Sequence, residues 1–157
     1  MGEKIAEFFR RSVQATGRYF IGKTITSLII ALLCYIVFRI IGIHLSGLMA
    51  FIVFLTNFVP VFGPWVGALA AGLIALFDVP VFALYAVGVI LVLQITEQFL
   101  LMPLIVGKAV ELKPLIIVMA VILAGAFLGF WGILFAVPAA AVIKIAWQVF
   151  SRKKEKP

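Results

Sequence analysis

The sequence is poor in the residues from which soluble catalytic and metal sites are built. Its 157 residues include one cysteine, one histidine and six acidic residues. A single cysteine excludes an internal disulfide and a paired-cysteine metal site. His44 alone cannot form a histidine-rich metal site, and no nucleophile, metal or phosphate motif is present. We therefore expect neither an enzyme, nor a resident metal, nor a cofactor.

Charged residues are also scarce, at 12% of the chain, whereas 66% of the residues are hydrophobic. Soluble domains are roughly half apolar and about a quarter charged. A soluble globule of this length has too little interior to bury so much apolar surface. The composition therefore predicts an integral membrane protein whose main partner is the lipid bilayer.

The net charge of +7 is concentrated at the two ends of the chain. Basic residues beside apolar segments hold those ends in the cytoplasm and attract anionic headgroups, so this distribution favours a membrane over nucleic acid. We expect a multi-pass protein of a bacterial inner membrane with both termini cytoplasmic. The basic residues in question are Lys4, Arg10, Arg11, Arg18 and Lys23 at one end, and Arg152, Lys153, Lys154 and Lys156 at the other.

Three regions follow from this pattern. Residues 1–23 alternate charged and apolar residues at helical spacing, which predicts an amphipathic interfacial helix or, alternatively, a helix packed against a missing partner domain. Residues 24–149 form the transmembrane domain, and residues 150–157 a basic cytoplasmic tail. The domain is predicted to be all-α and polytopic, with about four transmembrane helices plus a broken or re-entrant helical hairpin.

The predicted hairpin contains the most informative segment, Asn57–Pro64, which interrupts an apolar stretch. Its two prolines and one glycine are expected to leave backbone polar groups unpaired, which hydrocarbon does not tolerate unless protein or a watery cavity surrounds them. Broken apolar segments of this kind indicate transporter binding sites. The alternatives are a proline-kinked span and a break sealed by neighbouring helices. The candidate solute- or ion-binding residues are Thr56, Asn57, Pro60, Gly63 and Pro64.

A second candidate site lies on the next apolar helix. Gln94, Glu97 and Gln98 are three and four residues apart, so they share one helix face. An ionisable residue inside a membrane segment is costly, which makes Glu97 a candidate for holding a cation or exchanging a proton, with the glutamines binding a hydroxylated solute. The alternative is that Glu97 reaches headgroup water. We expect this face and the Asn57–Pro64 break to meet near a cavity.

Small residues at regular spacing are expected to pack helices closely. Gly129 and Gly132 could also form a hinge between the last two apolar segments, and Pro138 interrupts the final one. Asp78, beside Pro80, is expected to cap a helix at the membrane surface. The residues assigned to packing or hinge roles are Gly67, Gly125, Gly129, Gly132 and Pro138.

With these residues in view, the chain resembles the autoinducer-2 exporter family of bacterial inner-membrane permeases. The likeness is carried by three patches: Asn57–Pro64 with Gly67; Glu97, Pro103, Gly107, Leu112, Pro114 and Leu115; and Gly125, Gly129, Gly132, Ala136, Val137, Pro138 and Lys144. The resemblance implies that the chain corresponds to the C-terminal half of a family member. It also implies a homo-oligomer and a small hydroxylated signalling solute, with behaviour in some members like that of sodium/proton antiporters.

Membrane transport of a small polar solute or signalling molecule, coupled to protons or sodium ions, is the function that these observations favour. One alternative is a non-transporting membrane scaffold or half-transporter fragment that needs a partner chain. Another is a passive channel.

Overall fold

The computed structural model describes residues 2–105 and 112–151, and all regular structure in these residues is helical. Residues 22–105 form one compact unit, and residues 2–21 with 112–151 form another. The predicted loop residues Lys108 and Glu111, and residues 152–157 of the predicted tail, lie outside the described residues. The helices are α1 (Gly2–Ile41), α2 (Ser46–Thr56), α3 (Gly63–Leu76), α4 (Pro80–Thr96), a π-helical turn (Glu97–Leu101), α5 (Met102–Ile105) and α6 (Pro114–Ser151).

Three stretches in the described part of the chain are long and apolar enough to cross a membrane, namely Gly2–Ile41, Pro80–Ile105 and Leu115–Ser151. The 40 residues of α1 extend for about 60 Å, twice the ~30 Å thickness of the hydrocarbon. The segment predicted to be interfacial and the first predicted span belong to one continuous helix, α1, which passes through the predicted boundary at residue 23. An interfacial position for its first half stays a prediction.

The end of α1 is set by Gly42, whose φ of 95° is unfavourable for other residues. Its amide and that of Ile43 donate to the carbonyls of Arg39 and Phe38 at 3.2 and 3.0 Å. This is the Schellman arrangement, which satisfies the last carbonyls of a helix and turns the chain away.

Helices α2 and α3 fold back on each other as an antiparallel hairpin. A Cβ atom added at Gly67 would lie 2.6 Å from Oγ1 of Thr56 and 3.7 Å from Cα of Val53. In a continuous helix, Val53 and Gly67 would be about 21 Å apart. A Cβ added at Gly63 would overlap the backbone carbonyl of Thr56. The prediction of two short helices is confirmed, and one straight rod is excluded.

The backbone of the break is better satisfied than its prolines suggest. The amides of Asn57 and Val59 donate to the carbonyls of Val53 and Thr56, and the amide of Gly63 donates to the carbonyl of Val59, at 2.9–3.0 Å. The expectation that these amides are unpaired was wrong, because the tight turns pair each with a carbonyl three or four residues earlier. The positive backbone angle in this break belongs to Val61, with φ of 67°.

Helix α4 ends in the π-helical turn, where the amide of Met102 donates to the carbonyl of Glu97, five residues earlier. Pro103 follows directly. It has no amide hydrogen to donate, and in an α-helix its ring would clash with the carbonyl oxygen four residues earlier. A π-helical turn accommodates such a residue without ending the helix. Turns of this type occur frequently at functional sites.

In the other unit, α6 is divided at Gly129, where φ is 59° and ψ is −140°. A Cβ at Gly132 would overlap the carbonyl of Ala124, although residues eight apart in a straight helix are separated by about 12 Å. The two parts of α6 therefore fold back tightly at Gly129. Pro138 lies buried within the second part.

Candidate functional site

The carboxylate of Glu97 lies at the centre of a buried hydrogen-bonded group, with 3% of the residue exposed. Its Oε1 accepts from Nζ of Lys23 at 2.7 Å and from Oγ1 of Thr26 at 2.9 Å. The amide nitrogen of Asn57 donates to both carboxylate oxygens, at 3.1 Å to Oε1 and 2.9 Å to Oε2. One charged and two neutral donors therefore surround the carboxylate.

Asn57 links this carboxylate to two further side chains. Its Nδ2 donates to Oγ of Ser27 at 3.0 Å, and its Oδ1 accepts from Nε2 of Gln94 at 3.2 Å. Asn57 is 1% exposed, and Thr26 and Ser27 are fully buried. We call these residues the polar cluster: Lys23, Thr26, Ser27, Asn57, Gln94 and Glu97.

The local sequence explains how three elements meet in the polar cluster. Lys23, Thr26 and Ser27 are three and four residues apart, so they lie on one face of α1. Gln94 and Glu97 share a face at the end of α4 in the same way. Asn57 immediately follows α2, where the break turns its side chain away from the helical ladder and between α1 and α4.

Charge and hydrogen bonding offset the cost of burying the polar cluster. An isolated carboxylate in an apolar medium is strongly disfavoured, whereas one that is paired and hydrogen-bonded is tolerated. The Lys23 ammonium supplies the opposite charge, with 12% of its side chain exposed. Removing any one donor would leave a buried acceptor short of a partner.

The structure brings together Asn57, Gln94 and Glu97 from the two candidate sites, but not the other predicted residues. The hydroxyl of Thr56 donates to carbonyls within α2, at Ile52 and Val53. Gln98 is exposed. Pro60, Gly63 and Pro64 shape the break, and none of the three contributes a side-chain hydrogen bond to the polar cluster.

Three members of the polar cluster were missed by sequence reasoning, namely Lys23, Thr26 and Ser27. Lys23 was interpreted as one of the basic residues that orient the membrane segments. The available signal was the spacing of the two hydroxyls three and four residues after a lysine at the start of an apolar run. That spacing identifies a polar face but not the carboxylate it contacts.

The polar side chains of the cluster contact each other directly. A groove of about 530 Å³ in the same unit is lined by residues of α1 and α4, including Val37, Tyr85 and Val89, and by no member of the polar cluster. The two candidate sites therefore meet through Asn57, Gln94 and Glu97, and this groove lies elsewhere in the unit.

The far end of the hairpin is held by a second polar contact. Oδ2 of Asp78 accepts from the backbone amide of His44 at 2.9 Å, and its Oδ1 lies 3.1 Å from Nδ1 of the same histidine. Asp78 thus joins the turn before α2 to the turn after α3. The helix cap predicted for Asp78 is replaced by this contact.

The glycines that were assigned to helix packing lie close to other segments of the same chain. Gly67 lies against α2, and Gly125 lies against Ile133, whose Cγ1 would be 2.9 Å from an added Cβ. Gly132 lies against Ala124, and Gly129 forms the bend in α6.

Comparison with known proteins places the chain among membrane transporters. A profile of the AI-2E family transporter matches residues 1–152, nearly the whole sequence. The chain belongs to the AI-2E transporter family. This is a transporter family rather than an enzyme family, and the protein is accordingly a multi-pass membrane protein of a bacterial transporter family.

Individual AI-2E family relatives are identical to this chain at about one aligned residue in three. The chain is 33% identical to the candidate transport protein YueF of Bacillus subtilis over 138 residues, covering 88% of this chain and 37% of YueF. It is 33% identical to the candidate transport protein YrrI of the same organism, covering 94% of this chain and 42% of YrrI. With the candidate permease PerM of Escherichia coli the identity is 30%, covering 83% and 38%. The chain thus spans about two fifths of the length of these relatives.

Proposed function

We propose that this AI-2E family protein moves a small polar solute across the bacterial inner membrane, with the polar cluster as its binding and coupling site. The observation that carries the proposal is Glu97, a carboxylate buried within an apolar helix and held by donors from α1 and from the break. Intramembrane carboxylates are costly and mark ion and substrate pathways. Glu97 is the proposed coupling residue for protons or sodium ions.

The remaining members of the polar cluster fit a hydroxylated solute. Asn57 and Gln94 each carry an amide with both donor and acceptor groups, and Thr26 and Ser27 add hydroxyls. When the cluster opens, these groups lose their mutual hydrogen bonds and become available to solute hydroxyls. The break before α3 gives Asn57 a backbone that can move without unravelling a helix.

The proposed topology has both termini in the cytoplasm and α2–α3 as a re-entrant hairpin. The 11 and 14 residues of these helices extend for about 16 and 21 Å, short of the ~30 Å hydrocarbon. The contact between His44 and Asp78 supports entry and exit on one side. The basic ends of the chain support the cytoplasmic assignment.

The test is transport in reconstituted vesicles. Labelled autoinducer-2 is the solute probe, and in a parallel assay a trapped pH-sensitive dye reports proton movement when sodium is added. Glu97→Gln should abolish gradient-driven movement, whereas Gln98→Ala, which changes an exposed neighbour, should retain it. Equal flux in wild type and Glu97→Gln would remove Glu97 from the mechanism and overturn the proposal.

The alternative proposal is a half-transporter; the chain spans about two fifths of its relatives' length. In that case the polar cluster transports only after assembly with a partner chain. A homo-oligomer is proposed from the family resemblance alone. The small residues Gly67, Gly125 and Gly132 do not add support for it, because they pack within their own chain. Mass measurement in detergent, combined with the vesicle assay, separates an active oligomer from an inactive half.

A further inference from the structure

We infer that Lys23 is a tethered counter-ion, which occupies at Glu97 the position that a free monovalent cation takes during transport. The inference rests on the proposed function and adds a competitor to it. The polar cluster would then alternate between a lysine-filled and a cation-filled state. The ligand class is a small monovalent cation, either a metal ion such as Na⁺ or a primary ammonium.

The groups around the Lys23 ammonium are suited to a free cation. Nζ of Lys23 lies 2.7 Å from Oε1 of Glu97, and Oγ1 of Thr26 lies 2.9 Å from the same oxygen. Ser27 and Asn57 place further oxygens in the polar cluster. If Lys23 withdraws and the Asn57 amide rotates, the group presents carboxylate, hydroxyl and carbonyl oxygens, the ligands preferred by hard cations.

The Lys23 side chain is able to leave the polar cluster. Its side chain retains 12% exposure, against 3% for Glu97, and a lysine stem can carry its ammonium towards water while its carbons stay on apolar surface. The Thr26 hydroxyl also keeps an acceptor if it releases the carboxylate. Its hydroxyl lies 3.1 Å from the backbone carbonyl of Lys23, which offers it a second acceptor.

Charge balance favours one cation at a time in the polar cluster. Lys23 and Glu97 are the charged members of the polar cluster among the described contacts. With both cations present the buried group would carry a net positive charge, and with neither it would carry a net negative charge. Either state is costly in an apolar surrounding, so occupancy by Lys23 and by a free cation must be mutually exclusive.

The first experiment follows the wild-type protein and therefore does not depend on any variant folding. The purified full chain in detergent is treated with an amine-reactive reagent at fixed pH, and mass spectrometry measures the labelling rate of Lys23. Rising Na⁺ should raise that rate several-fold. Choline, a quaternary ammonium that does not consume the reagent, should have no effect at equal ionic strength. The exposed Lys113 is the internal control, whose rate should not change. A Lys23 rate that is independent of Na⁺ overturns the inference.

The second experiment measures equilibrium binding of ²²Na⁺, with methylammonium as a competing probe. Lys23→Met should bind Na⁺ about tenfold more tightly or better, because an opposite charge within ~4 Å shifts ionic equilibria by one or more powers of ten. Lys113→Met should match the wild type, and Lys23→Met/Glu97→Gln should lose the gain. Displacement by methylammonium assigns the broader cation class, and its absence assigns metal ions.

Unchanged or weaker Na⁺ binding by well-folded Lys23→Met overturns the inference. The proposed function is judged separately by vesicle flux. A protein in which Glu97→Gln abolishes flux while Lys23 labelling ignores cations keeps the proposed function and loses the tethered counter-ion.

Discussion

Nδ2 of Asn57 lies 2.9 Å from Oε2 of Glu97, although the two residues are 40 positions apart in the sequence. This hydrogen bond connects the tip of the α2–α3 hairpin to the end of α4. It makes the break in the apolar stretch part of the same hydrogen-bonded group as the buried carboxylate.

Replacing Asn57 by Leu should destabilise the protein by about 1–3 kcal/mol, because Glu97 and Gln94 would each lose a buried partner. The measurement is thermal or denaturant unfolding in detergent. Gln98→Leu is the matched control, since that amide is exposed and should change stability little. Equal effects of the two substitutions would contradict the role of Asn57 as the connecting residue.

Lys23 and Glu97 should show strong energetic coupling. Breaking a buried ion pair by removing one partner costs about 3–5 kcal/mol of unfolding free energy. The loss caused by Glu97→Gln should lie within or below this range, because the unpaired Lys23 can reach water. The double variant Lys23→Met/Glu97→Gln should be more stable than the sum of the single effects predicts, by about 0.5–3 kcal/mol. A double-mutant cycle in unfolding free energy measures this term, and simple additivity would argue against the ion pair.

Gly63 should not tolerate even a methyl group. Its Cβ would overlap the backbone carbonyl of Thr56, which cannot rotate away, so Gly63→Ala should cost about 1–3 kcal/mol by overpacking. Gly88→Ala on α4 meets no atom within 4 Å and should be neutral or stabilising by up to about 1 kcal/mol. Comparable losses at both positions would show that the close approach of α2 and α3 is not maintained.

Gly129→Ala should destabilise the bend in α6 by about 1–3 kcal/mol, since its backbone angles are nearly restricted to glycine. Gly17→Ala, in open space on α1, is the control for helix propensity alone. Unfolding midpoints of the two variants should separate clearly. A wild-type midpoint for Gly129→Ala would mean that the bend is absent.

The proposed topology can be tested by cysteine labelling. Cys34 is buried, so the wild type should give little background with a membrane-impermeant maleimide. His44 is 85% exposed, and His44→Cys should be labelled in intact spheroplasts. Arg10→Cys, also exposed, should be labelled only after permeabilisation. The reverse pattern would invert the orientation, and labelling of both in intact spheroplasts would place them on one side.

Much of the unit formed by residues 22–105 was predictable from local sequence. Pro60 and Pro64 separate α2 from α3, because a proline fixes its φ angle and lacks an amide hydrogen whatever the tertiary structure around it. The pairing of Lys23 with Glu97 was not predictable, because the two residues are 74 positions apart. A lysine at the edge of an apolar run has the same neighbours in sequence whether it extends to water or contacts a carboxylate.

Two details of the backbone were also not predictable from the local sequence. The π-helical turn before Pro103 was not foreseen, since a proline in a helix is compatible with a kink, an end or an inserted residue. The positive φ fell on Val61 and not on Gly63, whose smallness serves the approach of Thr56 instead. Only the packing of α2 on α3 decides which residue of the turn adopts that angle.

The contact between His44 and Asp78 holds the two ends of the hairpin together at its base, so the hairpin can act as a lever whose opposite end carries Asn57. With an arm of about 16 Å, a tilt of only ~10° at the base would displace the tip by roughly 3 Å. That displacement is enough to separate the amide from Glu97. A small rocking of a short, rigid arm would thus release Oε2 of Glu97 from Asn57 without any helix having to unwind, while Lys23 and Thr26 on α1 keep their contacts with Oε1.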